Sequence, residues 1–83
     1  MTYEIVFEPR ALNSAARFLK EDPSGLALVL DTIDKLADDP RPATSMPYGS
    51  PNLRRLHIAD YRVLYVIDDD VIHILVTHLG RTP

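Results

Sequence analysis

The chain has 83 residues, 46% of them hydrophobic, which suits one folded domain over residues 1–83 with a small core and argues against disorder. It has no cysteine, which excludes disulfides and thiolate metal sites. The net charge of −3 argues against a general nucleic-acid binder, although four arginines in the last third of the chain leave room for a local basic site.

The chain begins with a predicted strand and a predicted helix. Residues 2–7 alternate between two sides, as in a half-buried strand, and Glu8-Pro9 ends that strand. Pro9 suits the first turn of a helix, which we expect to end near residues 22–23. Its buried stripe is predicted from residues at helical spacing: Leu12, Ala15, Ala16 and Leu19, with Phe18 beside them.

A second helix and a loop complete the scaffold. Ser24 is the predicted N-cap of this helix, and residues 38–40 are expected to end it. Its broad apolar face consists of Leu26, Val29, Leu30, Ile33, Leu36 and Ala37. Between Pro40 and Pro51 the chain contains four prolines and a glycine, which predicts a surface loop without regular structure.

The last third of the chain predicts three antiparallel strands. Residues 53–58 and 61–67 are joined by a short turn at Ala59-Asp60, and a strand over residues 71–79 follows the acidic turn at residues 68–70. The first strand must add to the same sheet. We therefore predict an α+β fold of order β-α-α-β-β-β, in which two N-terminal helices pack on a largely antiparallel four-stranded sheet.

Cationic side chains are predicted to share one face of this sheet. A two-residue loop at positions 59 and 60 places His57 opposite Arg62, and Arg55 falls on the same face. Arg54 has the opposite parity, so we expect it to point away while Arg55 points toward the cluster.

The position of the last strand is less well defined by the sequence. A three-residue loop at 68–70 would place Val76 opposite Arg62 and bring His78 to the same face, whereas a slip of one residue would remove His78. By the same parity His73 is expected at the edge of the core, on the face of Tyr65. Tyr61 and Tyr65 are expected in the core.

The segment after Leu53 also resembles a known family. Its pattern joins an arginine, the run Asp-Tyr-Arg-Val-x-Tyr and an acidic turn, here Arg55, Asp60, Tyr61, Arg62, Val63, Tyr65 and Asp68-Asp69. Together with the order of elements, which spans nearly the whole chain from EIVFEPRAL to HLGR, this pattern resembles the RelE/ParE superfamily of type II toxin–antitoxin toxins. The resemblance is closer to the RelE-like mRNA interferases.

The resemblance implies a metal-independent, ribosome-dependent endoribonuclease that cuts messenger RNA, inhibits translation and is neutralised by a RelB-like antitoxin. It also implies that the toxin–antitoxin complex binds operator DNA through the antitoxin. Carried over by position, the catalytic roles fall on Arg55, His57, Arg62 and Arg81. A histidine titrates near neutrality, so His57 or His78 suits proton transfer during attack of a 2′-hydroxyl on the neighbouring phosphate.

Two departures from the family pattern keep other functions open. His57 stands where a lysine or arginine is usual, and the chain stops at Arg81-Thr82-Pro83 without a C-terminal tyrosine. The missing C-terminal tyrosine and the low net charge favour a ParE-like inhibitor of DNA gyrase, or a catalytically weak homologue that acts through antitoxin binding and co-repression. The cationic face and Arg81 favour RNA cleavage.

Several residues also have plainer interpretations. Arg62 suits a surface arginine paired with Asp60 or with an acidic group of an antitoxin, and His57 suits a half-exposed residue stacked on Arg62. Tyr48 is suited either to stacking on a base or to covering the sheet. We expect no metal and no other cofactor, because the histidines and the acidic turn match no metal-ligand spacing. With no apolar stretch of membrane-spanning length and no leader-like N-terminus, we expect a cytoplasmic protein.

Overall fold

The computed structural model describes residues 2–82 as two helices packed on one face of a five-stranded sheet. The elements in chain order are β1 (Glu4–Phe7), α1 (Pro9–Glu21), α2 (Pro23–Lys35), β2 (Ser45–Ser50), β3 (Leu53–Ile58), β4 (Tyr61–Asp68) and β5 (His73–Arg81). The strand order is β1-β5-β4-β3-β2, and only the β1–β5 pair is parallel among these strands. The predicted α+β class is confirmed, whereas the count of four strands is wrong by one.

The additional strand is β2, in the segment expected to be a loop. It pairs with β3 through Ser45 opposite Leu56 and Pro47 opposite Arg54, and the register breaks between Pro47 and Ser50. Gly49 takes a positive φ of 88° within that break. β2 is an edge strand, where a proline tolerates its missing N–H group because no further strand needs it. The prolines therefore mark a sheet edge rather than a loop.

Helix α1 begins at Pro9 and ends at Glu21, as predicted, but it buries a different stripe. The buried side chains are Ala11, Ala15 and Phe18, while Leu12 and Leu19 are 55% and 44% exposed. Both stripes have the same helical spacing and lie one residue apart. The helix is rotated toward the aromatic side chain, because the Phe18 ring packs edge-on against a tyrosine of β4 with the ring centroids 5.4 Å apart.

Helix α2 buries the apolar face expected of it but begins differently. Its N-cap is Asp22, whose side chain accepts a hydrogen bond from the Gly25 amide at 3.2 Å, so the prediction of Ser24 is wrong. A side chain at position 25 would collide with the Asp22 carboxylate. Leu26, Val29, Ile33 and Leu36 are buried, and Leu30 packs beside them. None of the helices within residues 2–82 is long and apolar enough to cross a membrane.

The β3–β4 hairpin has the predicted register. Ile58 pairs with Tyr61 and His57 with Arg62, so the loop is Ala59 and Asp60, and Ala59 takes a positive φ of 51°. Alternate residues of the central strands point toward the helices and form the core: Leu56, Ile58, Tyr61, Val63, Tyr65, Ile67, Ile74, Val76 and Leu79. The expectation that both tyrosines are buried is confirmed.

The β4–β5 hairpin differs from the predicted register. Asp68 pairs with His73, so the loop spans residues 69–72 rather than 68–70, and Val76 lies opposite Tyr65 instead of Arg62. The Asp68 carboxylate accepts hydrogen bonds from the amides of Asp70 and Val71, which stabilises the longer turn. The register then shifts between Leu64 and Tyr65. Tyr65 pairs with Val76 and Leu64 pairs with His78, so Thr77 is left as the extra residue of a bulge.

Candidate functional site

The helices leave one face of the sheet uncovered. We call this the open face; it carries Arg55, His57, Arg62, Leu64, Val66, Leu75 and His78, whose neighbours along each strand point to the core. The cationic side chains lie toward one end of the strands. Apolar side chains occupy the other end, so the open face has a charged half and an apolar half.

Arg62 lies at the centre of the charged half. His57 is its direct partner on β3, and Gly80 is its partner on β5, so one neighbour is an imidazole and the other has no side chain. Both Arg62 and His57 are exposed. Within residues 2–82 neither side chain makes a hydrogen bond or a salt bridge, so Arg62 is not paired with Asp60. The Arg62 guanidinium group is therefore available to an external anion.

His78 reaches the open face because of the bulge at Thr77. Without the extra residue, the pairing that runs from Asp68–His73 to Tyr65–Val76 would send His78 to the helix side. With it, His78 lies opposite Leu64 and diagonal to Arg62. The side chain of Thr77 donates a hydrogen bond to the Leu64 carbonyl at 3.3 Å. The expected membership of His78 in the cluster thus holds through a register different from the predicted one.

Gly80 makes the close approach of His78 possible. A Cβ atom added at Gly80 would lie 2.7 Å from the His78 Nε2 atom, closer than non-bonded atoms approach. The imidazole therefore lies over the glycine and beside Arg62. The sequence alone does not predict this close approach, because a glycine near the end of a strand is an ordinary feature.

Arg55 points to the open face as predicted, and Arg54 points away. The Arg55 guanidinium carbon lies 5.6 Å from the centre of the Tyr48 ring, a cation–π distance. Arg54 instead binds Ser45 on the helix side, with its Nε donating to the Ser45 hydroxyl at 2.8 Å. Ser45 is buried and passes a hydrogen bond to the Pro42 carbonyl. Arg54 therefore fastens the start of β2 to the body of the domain.

Arg81, expected among the catalytic residues, directs its guanidinium group away from the open face. Its Nη2 lies 3.5 Å from the Asp22 carboxylate, its Nη1 lies 3.9 Å from Glu21, and its guanidinium carbon lies 5.5 Å from the centre of the Tyr61 ring. Tyr61 also donates its hydroxyl hydrogen bond to Asp22 at 3.0 Å. The charged end of Arg81 is therefore held on the helix side, and its catalytic role stays a prediction.

His73 also differs from its expected position. It lies opposite Asp68 on the open-face side of β5, not on the face of Tyr65, because the longer turn changes its parity. Its Nε2 is 3.2 Å from the Glu4 carboxylate on β1. His73 therefore links the two parallel strands at the acidic end of the sheet, away from Arg62.

The acidic end is joined to the N-terminus by a separate contact group. The Tyr3 hydroxyl donates to Asp69 at 2.6 Å, and Arg41 lies 3.0 Å from the same carboxylate. These two contacts, with the Tyr3 hydrogen bond as the larger cause, lower the pKa of Asp69. The hydrogen bond to Asp69 also raises the pKa of Tyr3. No pattern in the sequence predicts that residues 3, 41 and 69 meet.

Two shallow grooves flank Arg62 and His78. One, of about 190 Å³, is lined by Tyr48, Arg55, Arg62, Leu64 and His78. The other, of about 110 Å³, is lined by Arg62, His78, Gly80, Arg81 and Thr82. Because Arg62 and His78 border both grooves, an extended anionic chain that crosses them would contact this pair at its middle. The arrangement suits a phosphodiester, whose oxygens a planar guanidinium group binds in pairs.

The fold is similar to several solved toxins. The toxin of the RelBE2 toxin–antitoxin complex from Mycobacterium tuberculosis is 21% identical, with a TM-score of 0.79 over 98% of this chain and 99% of that one. The isolated E. coli RelE toxin is 19% identical, with a TM-score of 0.83 over 98% and 85%. A YoeB/ParE toxin from Agrobacterium tumefaciens is 13% identical, with a TM-score of 0.81 over 96% and 99%. No curated protein matches the chain.

A family match covers nearly the whole sequence. Residues 5–82 match the family described as the ParE toxin of the type II toxin–antitoxin system, parDE. That segment contains every strand from the second residue of β1 onward, both helices and all residues of the charged half of the open face. The chain therefore belongs to the ParE toxin family of type II toxin–antitoxin systems and is a toxin of the RelE/ParE superfamily.

Proposed function

We propose that this toxin is a ribosome-dependent endoribonuclease that cuts messenger RNA in the cytoplasm and so inhibits translation. The observation that carries the proposal is the charged half of the open face. Four basic side chains, Arg55, His57, Arg62 and His78, converge there from three strands and have no carboxylate partner within residues 2–82. A sheet face that served only as structure would gain nothing from the two uncompensated arginines, Arg55 and Arg62, because like charges repel one another.

The proposed reaction is an attack within the RNA strand. The 2′-hydroxyl oxygen bonds to the neighbouring phosphorus, the bond from phosphorus to the 5′-oxygen breaks, and a cyclic phosphate and a 5′-hydroxyl result. One group must accept the 2′-hydroxyl proton, and another must give a proton to the leaving oxygen. Cations must face the negative charge that grows on the phosphoryl oxygens, a role for which Arg62 is placed.

The two histidines lie on either side of Arg62 and suit the proton transfers. His57 is opposite Arg62 on β3, and His78 is diagonal to it on β5. Neither ring has an orienting carboxylate within residues 2–82, so the ribosome or the RNA must supply any group that orients them. The assignment of base and acid between His57 and His78 follows from which side of the phosphate the 2′-hydroxyl occupies.

Inhibition of DNA gyrase is the second candidate function, and a specific observation favours it. The family that matches residues 5–82 is the ParE toxin family. In addition, Arg81 is bound by Asp22 and does not extend onto the open face. A gyrase-directed toxin needs no proton transfer and no free phosphate-binding arginine. The two functions therefore differ in their dependence on Arg62.

The experiment that separates them expresses the toxin without an antitoxin and follows transcripts and DNA together. We expect messages to be cut only while they are translated, with no gyrase-linked DNA breaks. Arg62→Ala should lower the cleavage rate by about 10²- to 10³-fold, the loss seen when one oxyanion-stabilising donor is removed. Arg62→Lys should restore part of the rate, because an ammonium group cannot form the bidentate contact.

The matched control is Arg10→Ala, which removes an exposed arginine from α1 on the other side of the molecule. It should cut messages at the normal rate. Circular dichroism of each variant shows whether the fold is retained. Gyrase-linked breaks that persist in Arg62→Ala, with intact messages in the wild type, would contradict the proposal and support the second candidate.

We propose that the partner of this toxin is a cognate, RelB-like antitoxin whose amphipathic segment covers the apolar half of the open face. Val63 and Tyr65 are fully buried under the helices, whereas Leu64 and Val66 on the same strand are only half-buried. The RelBE2 protein of Mycobacterium tuberculosis and other similar toxins were solved as complexes with antitoxins. The proposed complex binds operator DNA through the antitoxin.

The partner proposal is tested by the behaviour of the toxin alone and with the antitoxin encoded beside it. Binding to the folded toxin should raise its melting temperature in proportion to the logarithm of the free antitoxin concentration. Light scattering after size exclusion should show a toxin–antitoxin complex rather than a toxin dimer. A stable monomer with no shift in melting temperature would contradict it.

A further inference from the structure

Tyr48 is an aromatic side chain that the fold does not use. It lies on the edge strand β2, its side chain is 49% exposed, and its hydroxyl has no hydrogen-bond partner within residues 2–82. The three other tyrosines each donate a hydrogen bond, to Asp69, Asp22 and the Pro40 carbonyl. Tyr48 alone among these four has neither a core position nor a hydroxyl partner in the described residues.

The backbone around Tyr48 fixes the ring beside the charged half of the open face. Pro47 pairs with Arg54, and the strand register breaks immediately after it. Gly49 turns the chain with its positive φ, and an added Cβ atom there would meet nothing within 4 Å. The strand break therefore frees Tyr48 from the regular alternation and leaves its ring at the border of the open face, where Arg55 lies at cation–π distance.

The groove beside Tyr48 has the composition of a nucleobase subsite. Tyr48 and Leu64 supply apolar surface, Arg55 and Arg62 supply positive charge, and the His78 imidazole lies beside them. A base has two apolar faces and is attached to a phosphate, so it needs such surfaces side by side. The groove volume of about 190 Å³ can hold one base. Bases within a duplex are stacked on their neighbours, so only an unpaired nucleotide can enter.

We propose that Tyr48 and Leu64 form a stacking platform for one unpaired RNA base, next to the phosphate that binds Arg62. This inference rests on the proposed function and adds a positioning residue to it. Stacking holds the base still and so fixes the adjoining phosphate between His57 and His78. Because every base has a flat face, stacking on the platform depends on whether a base is present and little on which base it is.

The test measures binding of short single-stranded RNAs by fluorescence anisotropy. Each probe carries a 2′-deoxy sugar only at the positions where the strand would otherwise be cut, which prevents cleavage. In one series of probes a single base is also removed, which leaves an abasic nucleotide. Tyr48→Ala should bind the intact strand about 5- to 100-fold more weakly, the range for loss of one stacked base. Tyr48→Phe, which keeps the ring, should bind like the wild type.

The abasic strand distinguishes stacking from a purely structural role of Tyr48, because a structural role would not make the affinity depend on the presence of one base. The wild type should lose affinity when the base over the platform is removed, and Tyr48→Ala should show no such loss because it has already lost the contact. Met46→Ala is the matched control, since Met46 is 58% exposed on the same strand and does not line the groove. It should leave both affinities unchanged.

The outcomes separate this inference from the proposed function. If the wild type binds intact and abasic strands equally, the platform is overturned. The proposed endoribonuclease function is unaffected by that result as long as Arg62→Ala abolishes message cleavage. If Arg62→Ala leaves cleavage intact, the proposed function fails on its own. A Tyr48→Ala variant that binds RNA normally but no longer binds the antitoxin also overturns the platform, and assigns the ring to the protein interface.

Discussion

The two faces of the sheet hold their arginines in opposite ways. On the helix side, Arg54 binds Ser45 and Arg81 binds Asp22, so each positive charge has a partner fixed by the fold. On the open face, Arg55 and Arg62 have no hydrogen-bond or ionic partner within residues 2–82. Neighbouring residues in one strand thus divide into a structural cation and an available one, because side chains alternate across a sheet.

This difference shows that residue type alone does not distinguish a structural cation from an available one in this chain. Arg81 carries the same chemical group as Arg62, yet its guanidinium group lies over Tyr61 and beside two carboxylates. Its contacts tie the end of β5 to the start of α2. Arg62 makes no comparable contact within residues 2–82, so the stability of the fold does not account for it.

The sharpest test of the comparison replaces two adjacent residues of β3. Leu56 is 1% exposed on the helix side, and Leu56→Ala should lower the free energy of unfolding by about 2–5 kcal/mol through lost burial and the cavity left behind. Arg55→Ala, one residue earlier on the open face, should change it by no more than about 0.5 kcal/mol. Urea unfolding followed by circular dichroism measures both. Similar losses for the two variants would show that the open face is packed in solution.

A smaller effect distinguishes the two arginines at the end of the sheet. Arg81→Ala should cost about 1 kcal/mol, since it removes partly exposed ion pairs and the contact with the Tyr61 ring. Arg62→Ala should cost less than about 0.5 kcal/mol. In a double-mutant cycle by urea unfolding, Arg81→Ala should couple to Asp22→Asn, a change that keeps the N-cap. Absence of coupling would mean that the Arg81–Asp22 pair does not form.

The smallest effect concerns acid sensitivity, which should come from the acidic end of the sheet and not from the open face. The pKa of Asp69 is lower in the folded protein than in the unfolded chain, where it is about 4. The ionised side chain therefore stabilises the fold above about pH 4, and this stabilisation is lost as the pH falls through the pKa of the folded protein. Asp69→Asn should therefore lose less stability than the wild type between pH 5 and pH 3. Melting temperatures across this range provide the measurement.

Asp70→Asn is the control for this acid effect. Its side chain lies in the same turn and is exposed, and within residues 2–82 it is the Asp70 amide, not the carboxylate, that makes a hydrogen bond, to Asp68. Its acid profile should follow that of the wild type. If the two variants behave alike, the Tyr3 and Arg41 contacts do not set the acid sensitivity of the turn.

Parts of the fold and the site follow from the sequence because their determinants are local. The two-residue loop at Ala59-Asp60 fixes the β3–β4 register, and with it the shared face of Arg55, His57 and Arg62. The Pro9 start of α1 and its end at Glu21 also follow from neighbouring residues. In each case the deciding contacts join residues close in the chain.

Other parts are decided only when distant segments meet. Two stripes of α1 have equal spacing, and the one with Phe18 is buried because Tyr61 offers it a partner. β2 forms because β3 presents a free edge, on which Pro47 is tolerated. Arg81 faces the helix side because the register pairs it with the buried Tyr61, and Asp22, far away in the chain, binds it there.

The candidate site combines both kinds of information. Local sequence places Arg62 and His57 together, whereas the bulge at Thr77 and the space above Gly80 bring His78 beside them. A bulge depends on how two whole strands align, so a strand pattern read alone cannot locate it. The sequence by itself determined which side chains share β3 and β4, and the tertiary structure decided which of the remaining cations and rings join them.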